Sequence, residues 1–251
     1  MKALVTGASS GIGRDMAKYL SKLGYHLILV ARNEEKLKQV QKELETPSTI
    51  YLCDMSKEEQ VKLLYKTIKE KEKNIDLVIN NAGFGLFGEF TKTDLDTEIN
   101  MIQTNVIGVQ ILTKLFMQDM VEKDKGTILN VASIAGFMPG PLMATYYATK
   151  SYIVRLTQGL QEELHKKKSK VQISLLCPGP VNTNFNNVAD VKFNLKGLSS
   201  EYVAKYAIDK TLKGKKIIVP GSMVKLAKIG AKICPDSIVA KISYKMQKRK
   251  Q

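Results

Sequence analysis

Short apolar runs alternate with stretches of helical periodicity along the whole chain. In the helical stretches, apolar residues recur every three or four positions, most clearly over residues 14–23 and 144–164. This alternation predicts an α/β fold, a doubly wound parallel sheet with helices on both faces. The predicted strands lie near residues 2–6, 26–31, 49–53, 76–80, 126–131, 171–176 and 216–219.

Three glycines separate the first predicted strand from the first helix, within the sequence Thr6-Gly7-Ala8-Ser9-Ser10-Gly11-Ile12-Gly13. A residue without a Cβ adopts positive φ readily and lets a ligand approach the backbone. The helix N-terminus that follows offers unpaired N–H groups, which suit a pyrophosphate. The spacing Gly-x-x-x-Gly-x-Gly differs from the usual dinucleotide fingerprint, and a plain tight turn is the alternative interpretation.

Two arginines stand where the ribose of a bound dinucleotide would lie. NAD-binding folds place an acidic residue after the second strand, whereas an arginine nearby accommodates the 2′-phosphate of NADP. Here the second strand ends in Ala31-Arg32, and Arg14 follows the last loop glycine; the chain has only four arginines. We therefore expect NADP(H), with a pair of solvated surface arginines as the alternative.

Tyr146 and Lys150 are four residues apart on a predicted helix, so they share one face. A nearby ammonium stabilises a phenolate and lowers its pKa, which suits a general acid for a carbonyl or a general base for an alcohol. Ser133 follows the strand at 126–131 and can hydrogen-bond the same oxygen. Tyr147 also shares a face with Lys150, so spacing alone leaves the choice of tyrosine open, and an ordinary amphipathic helix is the alternative.

In combination these motifs resemble the short-chain dehydrogenase/reductase family. The resemblance covers residues 1 to about 185 and implies a Rossmann fold of about seven strands with its crossover at the cofactor. It also favours Tyr146 over Tyr147. The matching segments, in family order, are residues 6–13, Asn80-Asn81-Ala82-Gly83, Asn105, Ser133, Tyr146 with Lys150, and Pro178-Gly179 with Thr183.

The resemblance assigns four residues to catalysis. It implies that Tyr146 is the acid–base, that Lys150 lowers its pKa and holds the nicotinamide ribose, that Ser133 orients the substrate oxygen, and that Asn105 holds a water in a proton relay to Lys150. Ser133 and Tyr146 would contact the substrate. Together with the two arginines, the residues expected to contact the cofactor are Gly7, Ser9, Ser10, Gly11, Ile12, Gly13, Arg14, Arg32, Asp54, Met55, Asn81, Ala82, Gly83, Tyr146, Lys150, Pro178, Gly179, Val181 and Thr183.

Two regions near the C-terminus differ from the rest of the chain, which we expect to form one domain of residues 1–251. Residues from 182 to about 200 have weak periodicity; the family has a mobile substrate flap here, and a disordered surface loop is the alternative. Residues 222–251 form a basic amphipathic extension with two helical segments interrupted at Cys234-Pro235-Asp236. Their apolar rows are Met223, Leu226, Ile229 and Ile233, then Ile238, Ile242 and Met246, with lysines alongside.

The extension admits two interpretations. Basic amphipathic helices can lie on an anionic membrane surface. They can equally pack over the substrate pocket or a neighbouring subunit, and we favour packing because short amphipathic helices usually cover core. The extension also resembles that of NADPH-dependent reductases similar to 3-ketoacyl-CoA and steroid reductases, which implies a hydrophobic substrate.

The net charge of +15 comes almost entirely from lysine and attracts anions. The lysines are scattered and no recognition motif is present, so we expect no nucleic-acid partner. A substrate carried on coenzyme A or on an acidic carrier protein fits as well as a merely solvated surface does. The resemblance implies a homodimer or homotetramer.

The cysteines and the N-terminal sequence indicate in which cellular compartment the protein is expected. The three cysteines and two histidines are isolated, so we expect neither a disulfide framework nor a metal site. Because the first strand begins beside Met1 and no apolar run approaches the length of a membrane span, we expect a cytoplasmic protein, peripheral to the inner face of the membrane if the extension binds lipid.

These observations predict an NADP(H)-dependent oxidoreductase. It would reduce a carbonyl, a lipophilic ketone or a 3-oxoacyl thioester, to an alcohol. The alternative is a non-catalytic dinucleotide-binding protein whose basic extension binds a membrane or a partner. The presence of all four catalytic residues favours the enzyme.

Overall fold

The computed structural model describes residues 1–183 and 197–248. The strands are β1 (Lys2–Thr6), β2 (His26–Ala31), β3 (Ser48–Leu52), β4 (Leu77–Asn80), β5 (Thr127–Val131), β6 (Gln172–Leu176), β7 (Val181–Asn182), β8 (Leu198–Ser199) and β9 (Ile217–Ile218). The α-helices are α1 (Gly11–Lys22), α2 (Glu34–Lys42), α3 (Glu58–Glu72), α4 (Leu95–Ile102), α5 (Val109–Glu122), α6 (Ala144–Lys166), α7 (Ser200–Leu212), α8 (Ser222–Ile233) and α9 (Asp236–Lys248).

Seven of the strands form one parallel sheet in the order β3-β2-β1-β4-β5-β6-β9. The order in which strands are added reverses between β1 and β4. Strands β2 and β3 lie on one side of β1, whereas β4, β5, β6 and β9 lie on its other side. In doubly wound sheets, ligands bind in the crevice at the carboxyl ends of the strands where this reversal occurs. The predicted parallel sheet of about seven strands is confirmed.

Each face of the sheet carries its own hydrophobic core. One core joins Val5 and Leu29 to residues of α1 and α7, such as Leu20 and Ala207. The other lies on the opposite face, because adjacent residues of a strand point to opposite sides. It joins strand residues including Leu4 and Ile28 to side chains of α3, α5 and α6. Burial on both faces explains why the strands appear in the sequence as continuous apolar runs.

A small parallel pair, β7 with β8, lies outside the main sheet. It joins Val181 to Leu198 and Asn182 to Ser199, so it brings together the two ends of the predicted flap. The flap itself falls mostly on residues 184–196, which lie outside the described residues.

The C-terminal extension forms the two predicted helices, but the described side chains of the apolar rows are exposed. On α8, Leu226 and Ile233 are exposed, and on α9, Ile238 and Ile242 are exposed. Helix α9 packs through a different face, formed by Val239, Ser243 and Gln247, which are buried. These side chains therefore do not cover the core of their own chain, and their packing against a neighbouring subunit stays a prediction.

Among the residues that the structure describes, no helix is both long enough and apolar enough to cross a membrane.

Candidate active site

The carboxyl edge of the sheet collects the residues singled out from the sequence. Because parallel strands all end at this edge, each strand delivers the residues that follow it to one row. These are Gly7 after β1, Arg32 after β2, Asp54 after β3, Asn81 after β4, Ser133 after β5 and Pro178 after β6.

The glycine loop between β1 and α1 is packed closely against the segment after β4. Gly7 and Gly11 have φ values of +65° and +52°, a region that side chains disfavour. A Cβ on Gly13 would lie 2.4 Å from both the Gly7 carbonyl oxygen and Asn81 Nδ2. The loop therefore requires these glycines for its own conformation.

Helix α1 begins without a side-chain cap. Its N-cap residue, Ser10, makes no capping hydrogen bond, and the first turn has no acidic residue. The first N–H groups of a helix need partners, and an uncapped N-terminus that follows a glycine loop suits a phosphate. The loop and helix thus fit the pyrophosphate of a dinucleotide.

Thr6 fixes the two segments to each other, although sequence reasoning did not assign it a role in the site. Its hydroxyl accepts hydrogen bonds from the backbone N–H groups of Asn81 and Ala82, each at 3.0 Å, and donates to the Ile79 carbonyl at 3.3 Å. Asn81 Nδ2 donates to the Thr6 carbonyl at 3.0 Å. In the sequence, the signal for this role was a polar residue, Thr6, at the end of an otherwise apolar strand.

The two arginines differ in their surroundings. Arg14 Nε donates to Asp15 Oδ1 at 2.9 Å, and this hydrogen bond raises the pKa of Arg14. Asp15 is buried and also accepts a hydrogen bond from Ser200. Arg32, directly after β2, is exposed. Arg32 therefore carries more of the case for a 2′-phosphate site than Arg14.

The segment after β3 has a local structural role. Asp54 Oδ1 accepts from the Ser56 backbone N–H at 3.0 Å and from the Ser56 hydroxyl at 2.8 Å. Met55 is buried, and its carbonyl oxygen would lie 2.6 Å from a Cβ on Gly108. These contacts give Met55 a packing function beside its predicted contact with the cofactor.

Ser133, Tyr146 and Lys150 converge at the end of β5. Ser133 begins the short 3-10 helix Ile134–Phe137, and its hydroxyl accepts from the Ala135 N–H at 3.2 Å. A hydrogen bond joins the side chains of Ser133 and Tyr146. Lys150 Nζ lies 5.8 Å from the centroid of the Tyr146 ring and donates to the Val131 carbonyl at 3.1 Å. The three polar groups predicted to act together are therefore neighbours.

Burial governs the protonation of this cluster. It raises the pKa of Tyr146, against a smaller lowering by the hydrogen bond with Ser133. It also lowers the pKa of Lys150 to about 8. Loss of solvent around the phenolate therefore dominates the pKa of Tyr146, and the lowering of that pKa by Lys150 stays a prediction.

Asn105 connects the loop after β4 to the catalytic helix. It lies in a π-helical turn, Gln103–Gly108, a distortion often found at functional sites. Its Nδ2 donates to the Phe84 carbonyl at 2.8 Å and to Thr149 Oγ1 at 3.1 Å. The Thr149 hydroxyl in turn donates to the Tyr146 carbonyl at 2.7 Å. Thr149, which sequence reasoning missed, therefore helps to position Tyr146.

Gly83 lies where the predicted catalytic groups meet the predicted cofactor site. A Cβ there would be 2.8 Å from Asn105 Oδ1 and 3.3 Å from Lys150 Nζ. Glycine therefore keeps space beside both polar groups, as the predicted relay between them requires.

The segment after β6 closes the far side of the site. The Pro178 carbonyl accepts from the Ile134 N–H at 2.9 Å and from the Ser133 hydroxyl at 3.5 Å. The Thr183 methyl group lies 3.2 Å from the position of a Cβ on Gly11, so this segment reaches the glycine loop. Val181 is buried in β7, and a Cβ on Gly179 would lie 2.6 Å from the Val224 side chain of α8.

Apolar side chains surround Tyr146. Met101, Ala135 and Met143 are buried with it, and a set of larger, partly buried residues packs against this cluster: Phe84, Leu86, Phe87 and Tyr147. Tyr147 makes its own hydrogen bond, accepting from Gln247 Nε2 of α9 at 2.7 Å. Of the two tyrosines, Tyr146 is the one joined to Ser133.

Comparison with known proteins agrees with this geometry. A family model described as short chain dehydrogenase matches residues 1–192. The chain belongs to the short-chain dehydrogenase family. It is 34% identical over 188 residues to an uncharacterised oxidoreductase of Staphylococcus epidermidis, covering 75% of this chain and 81% of the relative. It is 36% identical over 182 residues to an uncharacterised oxidoreductase of Staphylococcus aureus, covering 72% and 78%.

Solved structures share the fold of this short-chain dehydrogenase. A short-chain dehydrogenase from Sphingobium yanoikuyae in complex with NADPH superposes with a TM-score of 0.82 at 25% identity, covering 92% of this chain and 93% of that one. A short-chain dehydrogenase/reductase from Burkholderia phymatum in complex with NAD gives 0.83 at 25% identity, covering 91% of each. The chain is therefore an oxidoreductase of a family that binds NAD(P)(H).

Proposed function

We propose that the protein is an NADP(H)-dependent reductase that converts a lipophilic ketone or a 3-oxoacyl thioester to the corresponding alcohol. The observation that carries this proposal is the cluster of Ser133, Tyr146 and Lys150 at the carboxyl edge of the sheet, within an apolar surround. The cluster supplies a proton donor, a hydrogen-bonding hydroxyl and a cation beside the place where a dinucleotide fits.

The raised pKa of Tyr146 suits the reductive direction. It keeps the phenol protonated at neutral pH, so Tyr146 is ready to donate a proton to the substrate oxygen as negative charge develops there. The Ser133 hydroxyl orients that oxygen, and the Lys150 ammonium stabilises the phenolate left after donation. A bound NADPH would supply the hydride.

Arg32 supports NADP(H) over NAD(H). It is exposed directly after β2, the place where an arginine accommodates a 2′-phosphate, and a guanidinium can bind a phosphate through two parallel hydrogen bonds. The structural relatives include complexes with either dinucleotide, so the preference rests on this residue.

The apolar surround supports a lipophilic substrate. Phe84, Leu86, Phe87 and Met143 lie around Tyr146 and offer no charged group to bind a polar substrate. Apolar walls with a few convergent polar groups are typical of sites for small lipophilic molecules.

Cofactor binding and turnover test the proposal separately. NADPH and NADH are titrated by fluorescence, and NADPH oxidation is then followed with a panel of medium-chain 3-oxoacyl thioesters and lipophilic ketones. We expect tighter binding of NADPH and turnover on at least one member of the panel. Tight binding without turnover on any carbonyl would favour the non-catalytic alternative.

The substitution Tyr146→Phe tests the acid. It removes only the hydroxyl, so we expect turnover to fall by about a thousandfold or more while the affinity for NADPH changes by less than about threefold. Tyr147→Phe, on the neighbouring residue, is the matched control and should retain most of the turnover. If Tyr146→Phe retained activity, the assignment of the proton donor would be wrong.

The substitution Arg32→Asp tests the cofactor preference. It replaces the phosphate ligand with a group that repels phosphate and suits a ribose hydroxyl. We expect the affinity for NADPH to fall by about a hundredfold and that for NADH to change little. Arg155→Asp, on the exposed surface of α6, is the control. Equal losses for both cofactors in Arg32→Asp would contradict the phosphate contact.

A further inference from the structure

The two C-terminal helices expose apolar rows with lysines beside them. On α8 the row is Leu226, Ile229 and Ile233, of which Ile233 is 77% exposed. On α9 it is Ile238, Ile242 and Met246, each about half exposed. From here on, the apolar rows are these six exposed side chains, without Met223. Helices of globular proteins normally turn such rows inward, so this exposure needs an explanation.

Exposed lysines accompany both rows. Lys225 adjoins the row on α8, and Lys241, Lys245 and Lys248 run beside the row on α9. Asp236 is the sole acidic residue in the sequence between residues 221 and 251. On a helix with 3.6 residues per turn, the lysines of α9 lie on the side of the apolar row that is turned away from the buried face of Val239, Ser243 and Gln247.

A basic groove continues this surface onto the edge of the sheet. The groove has a volume of about 1010 Å³ and lies beside the edge strand β9. It is lined by Lys225 and Ile229 of α8 and by lysines from the end of α7 and the following turn: Lys210, Lys213, Lys215 and Lys216. Ile217 and Val219 contribute apolar surface between the lysines.

We propose that the exposed faces of α8 and α9, together with the basic groove, dock the protein onto an anionic lipid bilayer. An amphipathic helix binds such a bilayer by burying its apolar row at the boundary of headgroups and acyl chains while lysines meet the anionic headgroups. The apolar rows and their lysines have this arrangement, and the groove adds further cationic sites for headgroups.

The charge of this surface disfavours two other partners, a second copy of the chain and a nucleic acid. A second copy docked by a two-fold axis would bring the same lysines of both subunits face to face, where like charges repel. A nucleic acid would be bound by lysines alone and would leave Ile233, Ile238 and Ile242 in water. Only a partner that is both anionic and apolar satisfies the whole surface, and an anionic bilayer is such a partner.

Docking would also bring lipid close to the catalytic centre. The buried face of α9 contacts the site region through the hydrogen bond between Gln247 and Tyr147. The exposed face of the same helix would lie in the bilayer interface. One helix diameter, about 10 Å, would then separate Tyr147 from the lipid headgroups.

Co-sedimentation of the full-length protein with vesicles tests the proposal. Vesicles of phosphatidylcholine alone are compared with vesicles that also contain phosphatidylglycerol, at low and high NaCl concentration. We expect the protein to sediment with the anionic vesicles at low salt, at least about tenfold more than with neutral vesicles, and to be partly released by high salt.

Matched pairs of variants separate docking from non-specific attraction. Lys241→Glu/Lys245→Glu should lower vesicle binding by more than about tenfold, whereas Lys66→Glu/Lys71→Glu, the same charge change on exposed residues of α3, should have a small effect. Ile238→Gln/Ile242→Gln should also lower binding, and Leu63→Gln, an exposed apolar residue of α3, should not. Thermal melting and NADPH binding confirm that each variant is folded.

Three outcomes would overturn the proposal. The first is no binding to anionic vesicles at low salt. The second is binding that the isoleucine substitutions leave unchanged, or that both lysine pairs reduce equally, which would indicate a general polyanion surface. The third is a change in oligomeric mass for Ile238→Gln/Ile242→Gln without vesicles, measured by analytical ultracentrifugation, which would show that a second copy covers the row.

Discussion

At the scale of single residues, the proposed chemistry depends on two groups that are almost inaccessible to water. Tyr146 and Lys150 are both nearly inaccessible, and burial pushes each toward its neutral form. The phenol is a proton donor when neutral, so burial preserves its function. The lysine is useful as a cation, so burial works against it, and its pKa of about 8 lies close to physiological pH.

Lys150 therefore predicts a pH limit on activity. As pH rises through about 8, the folded protein loses the ammonium that stabilises the Tyr146 phenolate. We expect kcat/KM for carbonyl reduction to fall on the alkaline side with an apparent pKa near 8, measured at saturating NADPH. A profile flat to pH 10 would show that Lys150 keeps its proton or is not required.

The same residue predicts an effect on stability. The ordinary pKa of lysine is 10.5 and that of Lys150 in the fold is about 8, so between these values the unfolded chain binds more protons than the folded one. Stability contributed by this group therefore rises with pH across that window and is lowest below it. We expect Lys150→Met to melt about 5 °C higher than wild type at pH 7, with the difference shrinking toward pH 10.5.

Lys66→Met, at an exposed site, serves as the control for this comparison and should show no such trend. A melting difference for Lys150→Met that is the same at every pH would mean that its origin is packing rather than the buried charge.

At the scale of helices and strands, periodicity predicts which residues share a face but not what covers that face. The seven strands of the main sheet were predicted to within about two residues, because most of them are buried on both sides and so stand out as apolar runs. The short pair of β7 and β8 was not predicted. Helix α1 begins at Gly11, earlier than the predicted residue 14, because the glycines themselves form its first turn. The spacing of apolar residues cannot reveal the start of a helix whose first turn contains glycines, because glycine has no side chain.

The C-terminal helices show the same limit more strongly. Their bounds were predictable from the break at Cys234-Pro235 and the spacing of the apolar residues. The buried face of α9 could not be predicted, because two of its three residues, Ser243 and Gln247, are polar and are covered only through tertiary contacts. Thr6 and Thr149 were missed for a related reason, since a threonine that positions a loop or a helix has the same appearance in sequence as one on a surface.

The contact of α9 with the body of the protein predicts a measurable coupling. Gln247 Nε2 donates to the Tyr147 hydroxyl at 2.7 Å in a partly buried setting. Either substitution removes this hydrogen bond, so we expect Gln247→Leu and Tyr147→Phe each to lower the free energy of unfolding by about 1 kcal/mol. The double variant should lose about 1 kcal/mol less than the sum, as measured by a double-mutant cycle in urea.

Tyr244→Phe, which removes an exposed hydroxyl from the same helix, is the control and should be close to neutral. If the losses for Gln247→Leu and Tyr147→Phe simply added, the two side chains would not be coupled.

At the scale of the whole molecule, the net charge of +15 surrounds the site with a field that attracts anions. Such a field acts on the rate of encounter, and salt screens it because the Debye length falls from about 10 Å at 0.1 M to about 3 Å at 1 M. A substrate on coenzyme A or on an acidic carrier protein would benefit from it, whereas an uncharged ketone would not. The salt dependence of kcat/KM can therefore distinguish a substrate on an anionic carrier from an uncharged substrate.

The final prediction compares one acyl group on two carriers. With NADPH saturating at every salt concentration, we expect kcat/KM for a 3-oxoacyl coenzyme A thioester to fall by about tenfold between 20 mM and 500 mM NaCl, since screening removes the attraction. The uncharged N-acetylcysteamine thioester of the same acyl chain should change by less than about twofold over that range. Because both substrates would react at the same proposed site of Tyr146 and Ser133, any difference between the two salt dependences would arise from the carrier. Equal slopes would mean that the lysine-rich surface acts on something other than the encounter with substrate, as it would if its function is to hold the protein at a bilayer.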